Sequence, residues 1–160
     1  MSSLIAYNRW ANETLLEVAS RLAGEVRSAA AERSGVSIDS TLAHILLAQH
    51  VWHRRFTGAD TAHGGSEPKV ASPQELSTGF SASHHDLDAF AQAFTDTDWE
   101  RRLDYHSSDG TPHRRQLGEL VAHLVNHGSY HRGEVAYLLT EAGHSPGDLD
   151  YLYRLSDSFD

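Results

Sequence analysis

The amino-acid sequence predicts an all-α protein: a four-helix bundle with long crossover connections and a short β-hairpin before the last helix. Three observations lead to this fold class. Four segments of roughly 17 to 27 residues carry apolar side chains at helical spacing. The segment between the third and fourth of them changes to a strand-like pattern around a turn. The length of 160 residues suits one compact domain, spanning residues 1–160.

The first two helices are predicted from apolar periodicity and their end signals. The first runs over residues 3–22, and Gly24 follows it as a stop. The second runs over residues 40–56. Asp39 or Ser40 can cap its start, because a short side-chain oxygen accepts a free backbone N–H there.

The third helix follows a polar, glycine-containing loop predicted over residues 58–71. Ser72 and Pro73 make a good start, since proline fits the first helical position, and the helix continues to about Phe94. This loop and the segment before the fourth helix are the two long connections. They allow helices to cross the end of the bundle instead of running simply up and down.

The segment 99–115 is predicted to form a short β-hairpin that turns at Asp109 and Gly110, a dipeptide typical of hairpin turns. The fourth helix is predicted over residues 116–142, with Gly143 as its stop. The polar tail that follows contains three aromatic residues that we expect to anchor it, namely Tyr151, Tyr153 and Phe159.

Composition excludes several classes of function. The formal net charge of −9 disfavours binding to nucleic acid. Two short basic runs, at residues 53–55 and 113–115, are interpreted as solvated faces. No apolar run is long enough to predict a membrane span, and the N-terminus lacks the features of a signal peptide, so we expect a cytoplasmic protein.

The chain has no cysteine and 12 histidines. The absence of cysteine excludes disulfides, thiolate metal ligands and a cysteine nucleophile. A metal site would therefore use imidazole and carboxylate ligands. If thiol chemistry occurs, the thiol must arrive as a substrate.

The strongest functional signal is a pair of histidines in the fourth helix. His127 and His131 are one helical turn apart, so two imidazoles can reach one ion at ~2.1 Å each. A helical wheel places His127 at the middle of the apolar stripe, where a polar ring without a partner is costly. The alternative is that these rings are hydrogen-bonded core residues. His123, one turn earlier, could be a third ligand, a supporting residue or an exposed side chain.

Two further side chains of this helix are candidates for handling protons. Glu134 could be a ligand, a general base, an ion-pair partner of Arg132 or Arg101, or an ordinary surface carboxylate. Tyr130 is the second candidate catalytic group. The spacing of residues does not choose among these roles.

A mononuclear site needs a ligand from another element, and the second helix offers three histidines. His44 and His53 lie at opposite edges of its apolar stripe, whereas His50 points away from it. The geometry of this helix alone leaves His44 and His53 as open alternatives.

Three sequence runs resemble the DinB family of damage-inducible, YfiT-like proteins: HLVNHGSYHRGEVAYLL at 123–139, TLAHILLAQHVWHRRFTG at 41–58 and YNRWAN at 7–12. The resemblance extends to DGTP before the last helix and to AGHSPGDLDYL in the tail. It implies a four-helix bundle, commonly dimeric, with a metal triad.

The resemblance assigns the triad to His44, His127 and His131, and leaves His53 and His123 as neighbours of the site or surface residues. Family members often carry glutamine where this chain has Glu134, which leaves open an extra carboxylate near the ion.

The resemblance also implies a metal-dependent hydrolase or a thiol S-transferase. Its substrate would be a small molecule, such as a low-molecular-weight thiol, and its assembly a homodimer. Three imidazoles suit zinc, nickel, iron or copper. One alternative is a non-catalytic module that binds metal or a small ligand. Another is a structural bundle whose histidines only pack and form hydrogen bonds. Tyr7 and Trp10 of the first helix could line a pocket or a subunit interface, but we expect both to be plain core residues.

Overall fold

The computed structural model describes residues 1–29, 35–59 and 72–155, and it is an all-α bundle with a hairpin before the last helix, as predicted. Five α-helices lie in the described residues: α1 (Ser2–Ser20), α2 (Gly24–Ser28), α3 (Ile38–Phe56), α4 (Pro73–Gln92) and α5 (Leu117–Glu141). The hairpin consists of β1 (Arg102–His106) and β2 (Pro112–Gln116). Two 3₁₀ helices are at Asp96–Glu100 and Tyr151–Arg154.

The start of α3 differs from the prediction of a cap at Asp39 or Ser40. Ser37 is the cap: its Oγ accepts the backbone N–H of Ser40 at 3.0 Å, and Ser40 Oγ accepts the backbone N–H of Ser37 at 2.8 Å. Asp39 instead accepts a hydrogen bond from Arg27 Nε at 2.7 Å. The helix therefore begins two residues before the predicted start.

The other observed helix ends agree more closely with the predicted ones. Ser72 caps α4, with Pro73 as its first helical residue, as predicted. Gly58 and Gly143 follow α3 and α5 with φ of +74° and +83°, a conformation that glycine adopts without strain. Gly24 does not stop α1, because that helix ends at Ser20 and Gly24 begins α2.

The tail agrees with the prediction only in part. Tyr151 is an anchor: its ring packs 5.2 Å from that of Tyr7, and its hydroxyl donates to Ser3 Oγ at 2.9 Å. Tyr7 itself is a buried core residue, as expected. Tyr153 is exposed, so the prediction of an anchor there is wrong. Phe159 and most of the loop predicted at 58–71 lie outside the described residues.

The four long helices pack in an up-down-down-up order. Both α1 and α3 pack against α4 and against α5, so α1 and α3 are diagonal to each other. Helix α3 runs antiparallel to α5, because His44 lies beside His131 while Trp52 lies beside His123. This arrangement brings the histidines of α3 and α5 to one interface.

Helices α3 and α4 are parallel neighbours. Leu46 contacts Gly79 near the middle of α3, and the rings of Phe56 and Phe90 stack at 5.4 Å near the C-terminal ends of both helices. Parallel neighbours cannot be joined by a tight turn, which agrees with the long connection predicted between these two helices.

The hairpin turns where predicted but with a three-residue loop. The backbone N–H of Gly110 donates to the Ser107 carbonyl at 2.9 Å, and that of Ser107 to the Thr111 carbonyl at 2.9 Å. Gly110 has φ +85°, which is typical of a type I turn followed by a left-handed glycine. Asp109 accepts hydrogen bonds from Ser107 and Thr111, which lower the pKa of its carboxyl to about 2.

A layer of buried polar side chains crosses the core, and we call it the Arg132 layer. Its members come from four helices and are Asn8, Asn12, Gln49, His84 and Arg132. Arg132 Nη1 donates to Asn8 Oδ1 at 2.6 Å and to Asn12 Oδ1 at 3.1 Å. The amides of Asn8 and Asn12 in turn donate to Gln49 Oε1 at 2.6 and 3.1 Å. The layer therefore links α1, α3 and α5.

Arg132 is only 2% exposed, and no carboxylate of the described residues forms an ion pair with it. Its Nη2 donates to Ser129 Oγ at 2.7 Å and to the Val125 carbonyl at 3.2 Å, and its guanidinium lies 5.2 Å from the Tyr7 ring. Neutral oxygens and an aromatic face thus replace the counter-ion that a buried charge usually requires.

Apolar clusters pack on both sides of the Arg132 layer. One is rich in aromatic side chains and includes Trp52, Phe56 and Phe90; the other is mainly aliphatic. The interpretation of residues 53–55 as a solvated face is wrong for Arg55, which is 7% exposed and lies 4.6 Å from the Trp52 ring. No helix in the described ranges is both long and apolar enough to cross a membrane.

Gly128 and Gly133 provide a matched test of the Arg132 layer. A Cβ at Gly128 would lie 2.7 Å from Arg132 Nη1 and 3.1 Å from Asn8 Oδ1, whereas one at Gly133 would meet no atom of the described residues within 4 Å. We expect Gly128→Ala to destabilise the protein by about 2 kcal/mol, because four hydrogen bonds prevent the guanidinium from moving away. Gly133→Ala should stabilise it by about 0.5–1 kcal/mol through helix propensity. Urea denaturation of both variants measures the difference, and equal effects would contradict the steric role of Gly128.

His84 should make stability depend on pH. Burial, followed by the charges of Arg9 and Arg132, lowers the pKa of this 4%-exposed ring from 6.5 to about 4. Between these pH values the unfolded chain binds a proton that the folded chain does not, so the free energy of unfolding falls as the pH drops from 6.5 to 4. This group contributes about 3 kcal/mol to that loss. Denaturation at several pH values should show a shallower dependence for His84→Gln; an unchanged slope would rule out this contribution.

Candidate metal centre

Three histidines meet at the interface of α3 and α5. His44 comes from α3, and His127 and His131 come from successive turns of α5. One ring nitrogen from each lies within 4.8 Å of the others, and the ring centroids are 4.5 to 5.3 Å apart. Two nitrogens that bind one ion at ~2.1 Å lie up to ~4.2 Å apart, so a small ring rotation is enough for a shared ion. The group could therefore hold a metal ion.

The chemistry of the three rings fits such an ion. Neither the His44 ring nor the His127 ring makes a hydrogen bond to another residue in the described part of the chain. The pKa of His127 is lowered to about 4, first by burial and then by the neighbouring rings of His131, His44 and His123, with Glu134 acting in the opposite direction. His127 is thus neutral at pH 7, and its nitrogen lone pair is available without loss of a proton.

Glu134 forms a hydrogen bond with the His131 ring and so helps to orient it. Its Oε2 lies 2.7 Å from His131 Nδ1, so the carboxylate accepts the Nδ1 proton and leaves Nε2 free to face the other rings. The two alternative partners considered for Glu134 are placed elsewhere. Arg132 points into the core, and the Arg101 guanidinium lies 4.7 Å from the Phe94 ring.

The structure separates His44 from the other histidines of α3. His44 joins the group, whereas the His53 ring meets Phe90 edge-on at 6.2 Å. Nine residues of helix separate the two, which is ~13.5 Å along the axis, so both cannot face the same turn of α5. His50 is exposed.

The remaining candidates of α5 lie beside the group. The His123 ring packs 5.1 Å from Trp52 and lies nearly parallel to the His127 ring at 6.1 Å. Tyr130 is 68% exposed, and its ring is 5.0 Å from that of His131. His123 therefore borders the group along the helix axis, one turn before His127, whereas Tyr130 borders it around the helix, beside His131.

The helical wheel located the core side of α5 incorrectly. His127 and His131 are half-buried at the edge that faces α3, and the centre of the buried stripe lies ~100° further around the helix, near Gly128. On the wheel, leucines and histidines cluster around His127, whereas Gly128 and Arg132, which are not typical core residues, lie on the side that is buried. The sequence did contain a signal for Arg132, because Val125 and Leu139 lie one heptad before and after it on the same side.

Two pockets lie on either side of the three histidines. One, of about 310 Å³, is lined by Trp52, Tyr105, Arg115, Glu119, Leu120 and His123. The other, of about 500 Å³, is mainly apolar, and we call it the Tyr130 groove. Its lining residues are Val36, Tyr130, Gly133, Glu134, Tyr137 and Leu138. Neither lining includes one of the three histidines, but each pocket borders the group, one through His123 and the other through Tyr130 and Glu134.

The sequence is similar to known proteins over a range that includes both helices of this site. The sequence profile of the DinB family matches residues 1–157. Protein DinB of Bacillus subtilis (strain 168) is 24% identical over 155 residues, which span 92% of this chain and 89% of that protein. Both matches extend far enough to include α3 and α5.

Proposed function

The chain belongs to the DinB family, and we propose that it is a metal-dependent enzyme, a hydrolase or a thiol S-transferase, whose ion is held by His44, His127 and His131. One observation carries the proposal. Three imidazoles meet, and no fourth histidine, aspartate or glutamate of the described residues joins them. Structural zinc sites are usually closed by four protein ligands, whereas catalytic sites keep a position for water or substrate.

The chain's own residues prepare the site in three ways. His127 is neutral because its pKa is lowered, and Glu134 holds the His131 ring with one nitrogen facing inward. His44 completes the group from the facing helix. When bound, a divalent ion would lower the pKa of a water molecule or of a substrate thiol, and so provide a nucleophile at neutral pH.

The composition limits which metal ion and which nucleophile the site can use. A site of three imidazoles suits zinc, nickel or iron, and these are the ions we propose. Because the chain has no cysteine, a thiol nucleophile would be a small-molecule substrate. A homodimeric assembly remains a prediction.

Glu134 and Tyr130 have different proposed roles. Glu134 is engaged with His131, so we assign it the role of positioning that ring. Tyr130 is exposed beside His131, and its hydroxyl can meet a substrate that approaches along the Tyr130 groove. Tyr130 is therefore our candidate for proton transfer.

Metal analysis tests the ligand set. We expect wild-type protein reconstituted with Zn²⁺ to retain one ion per chain after desalting, and the double variant His127→Ala, His131→Ala to retain none. His44→Ala should weaken binding strongly, since one of three ligands is lost. His53→Ala is the matched control from the same helix and should retain the ion. Unchanged metal content in the double variant would disprove the site.

Turnover then separates an enzyme from a binding module. Metal-loaded protein is assayed with a panel of thiols and electrophiles and with activated esters. We expect turnover with at least one pair of substrates that disappears on removal of the metal. A fully loaded protein without turnover would contradict the catalytic proposal and leave metal binding.

Glu134→Gln tests the positioning role. The amide cannot accept the Nδ1 proton with the strength of a carboxylate, so we expect metal affinity to fall by ~10–100-fold. Competition with a chromophoric chelator measures this affinity. Glu141→Gln, an exposed position on the same helix, is the control and should bind like wild type. Equal affinities of the two variants would show that Glu134 does not support the site.

A further inference from the structure

No contact among the described residues explains why position 133 is a glycine. It lies in the middle of α5, where glycine costs ~1 kcal/mol relative to alanine. A Cβ at Gly133 would meet no described atom within 4 Å, in contrast to Gly128 and Gly118 of the same helix, which lie against Arg132 and Trp99. The space above Gly133 belongs to the Tyr130 groove. A residue that costs stability and opens a pocket points to a group that enters that pocket.

Two exposed aromatic side chains form the walls of the same space. Tyr130 and Tyr137 lie one heptad apart on α5 and are 68% and 64% exposed, although tyrosine normally buries most of its ring. They flank Gly133, so the groove has a backbone floor between two aromatic walls. This shape accommodates a flat apolar group.

The groove lies beside the candidate metal centre, although none of the three histidines lines it. The Tyr130 ring is 5.0 Å from the His131 ring, and Glu134, which lines the groove, binds His131 Nδ1. A ligand with one end at the three histidines can therefore extend past His131 and place its other end in the groove. Glu134 is the one charged residue of the lining, and it disfavours an anionic group there.

From these observations we propose that the Tyr130 groove binds an uncharged, planar apolar group of the substrate, such as an aryl ring, while the reactive end of the substrate lies at the histidines. This inference rests on the proposed metal-dependent function and adds a substrate class to it. The volume of about 500 Å³ suits a small organic molecule. Gly133 determines specificity because its missing side chain leaves room for the ring.

Thiol binding to the Co²⁺-loaded protein tests the proposal, with visible absorption as the readout. The probes are phenylmethanethiol, ethanethiol and 4-(mercaptomethyl)benzoate. We expect phenylmethanethiol to bind at least ~10-fold more tightly than ethanethiol, because its ring is buried in the groove. The benzoate should lose most of this advantage, since its charge would lie near Glu134.

Variants at Gly133 identify the groove as the cause. Gly133→Leu places a side chain in the space where a Cβ meets no described atom within 4 Å, and it should abolish the preference for the aryl thiol while Co²⁺ content stays unchanged. Thr140→Leu adds an equal side chain one heptad further along α5, at an exposed position outside the groove lining, and should behave like wild type. Far-UV circular dichroism checks that each variant is folded.

Three results would overturn the inference. They are equal affinities of the aryl and ethyl thiols, a preference that survives Gly133→Leu, and a change of oligomeric state in Gly133→Leu by sedimentation, which would make the groove an interface between copies. If the protein binds no Co²⁺, the proposed function fails separately. The groove is then tested in metal-free protein by NMR titration with benzyl alcohol. Shifts centred on Gly133 and Tyr130 would support the groove, and their absence would overturn it.

Discussion

The burial of the Arg132 guanidinium is the interaction on which the rest of the structure depends. Taking a cation out of water costs several kcal/mol unless hydrogen bonds replace its hydration. Here four hydrogen bonds to oxygens of α1 and α5 do so for the two Nη atoms, while Nε has no partner among the described residues. The amides that accept two of these bonds also hold Gln49 of α3. Because hydrogen bonds are directional, the layer allows only a narrow range of helix registers, whereas apolar packing alone would tolerate a slide.

That register matters for the three histidines. Gln49 is five residues from His44 on α3, and Arg132 is adjacent to His131 on α5. A slide of α3 by one helical turn would move His44 by ~5.4 Å and separate it from its two partners. The buried polar layer thus positions the histidine group although it shares no residue with it. The same layer depends on Gly128, since any side chain there would occupy the space of the guanidinium.

A segment of eight residues, 127–134, contributes to three different surfaces of the bundle. At ~100° per residue, His127 and His131 face α3, Gly128 and Arg132 face the core, and Gly133 faces the Tyr130 groove. Glu134 lies between the histidine face and the groove and connects them through its hydrogen bond to His131. This angular division lets one helix carry two of the three clustered histidines, fix the register and line a pocket without competition between these roles.

The sequence by itself determined the elements of the bundle and the pairing of His127 with His131, because both depend on periodicity within one segment. Helical spacing identified the four long helices, and the four-residue interval identified the pair on α5. Local chemistry also identified the Ser72 cap and the turn at Gly110.

Only the tertiary structure decided which side of α5 is buried, and only it gave the physical reason for the choice of His44, which the family resemblance had already assigned. Both are properties of packing between helices that are distant in sequence. The choice of His44 over His53 follows from the antiparallel register of α3 and α5, and within α3 alone the two were equivalent. The burial of Arg132 could likewise not be predicted from its residue type, which is usually exposed. A charged side chain is stable in the core only when oxygens from other helices surround it.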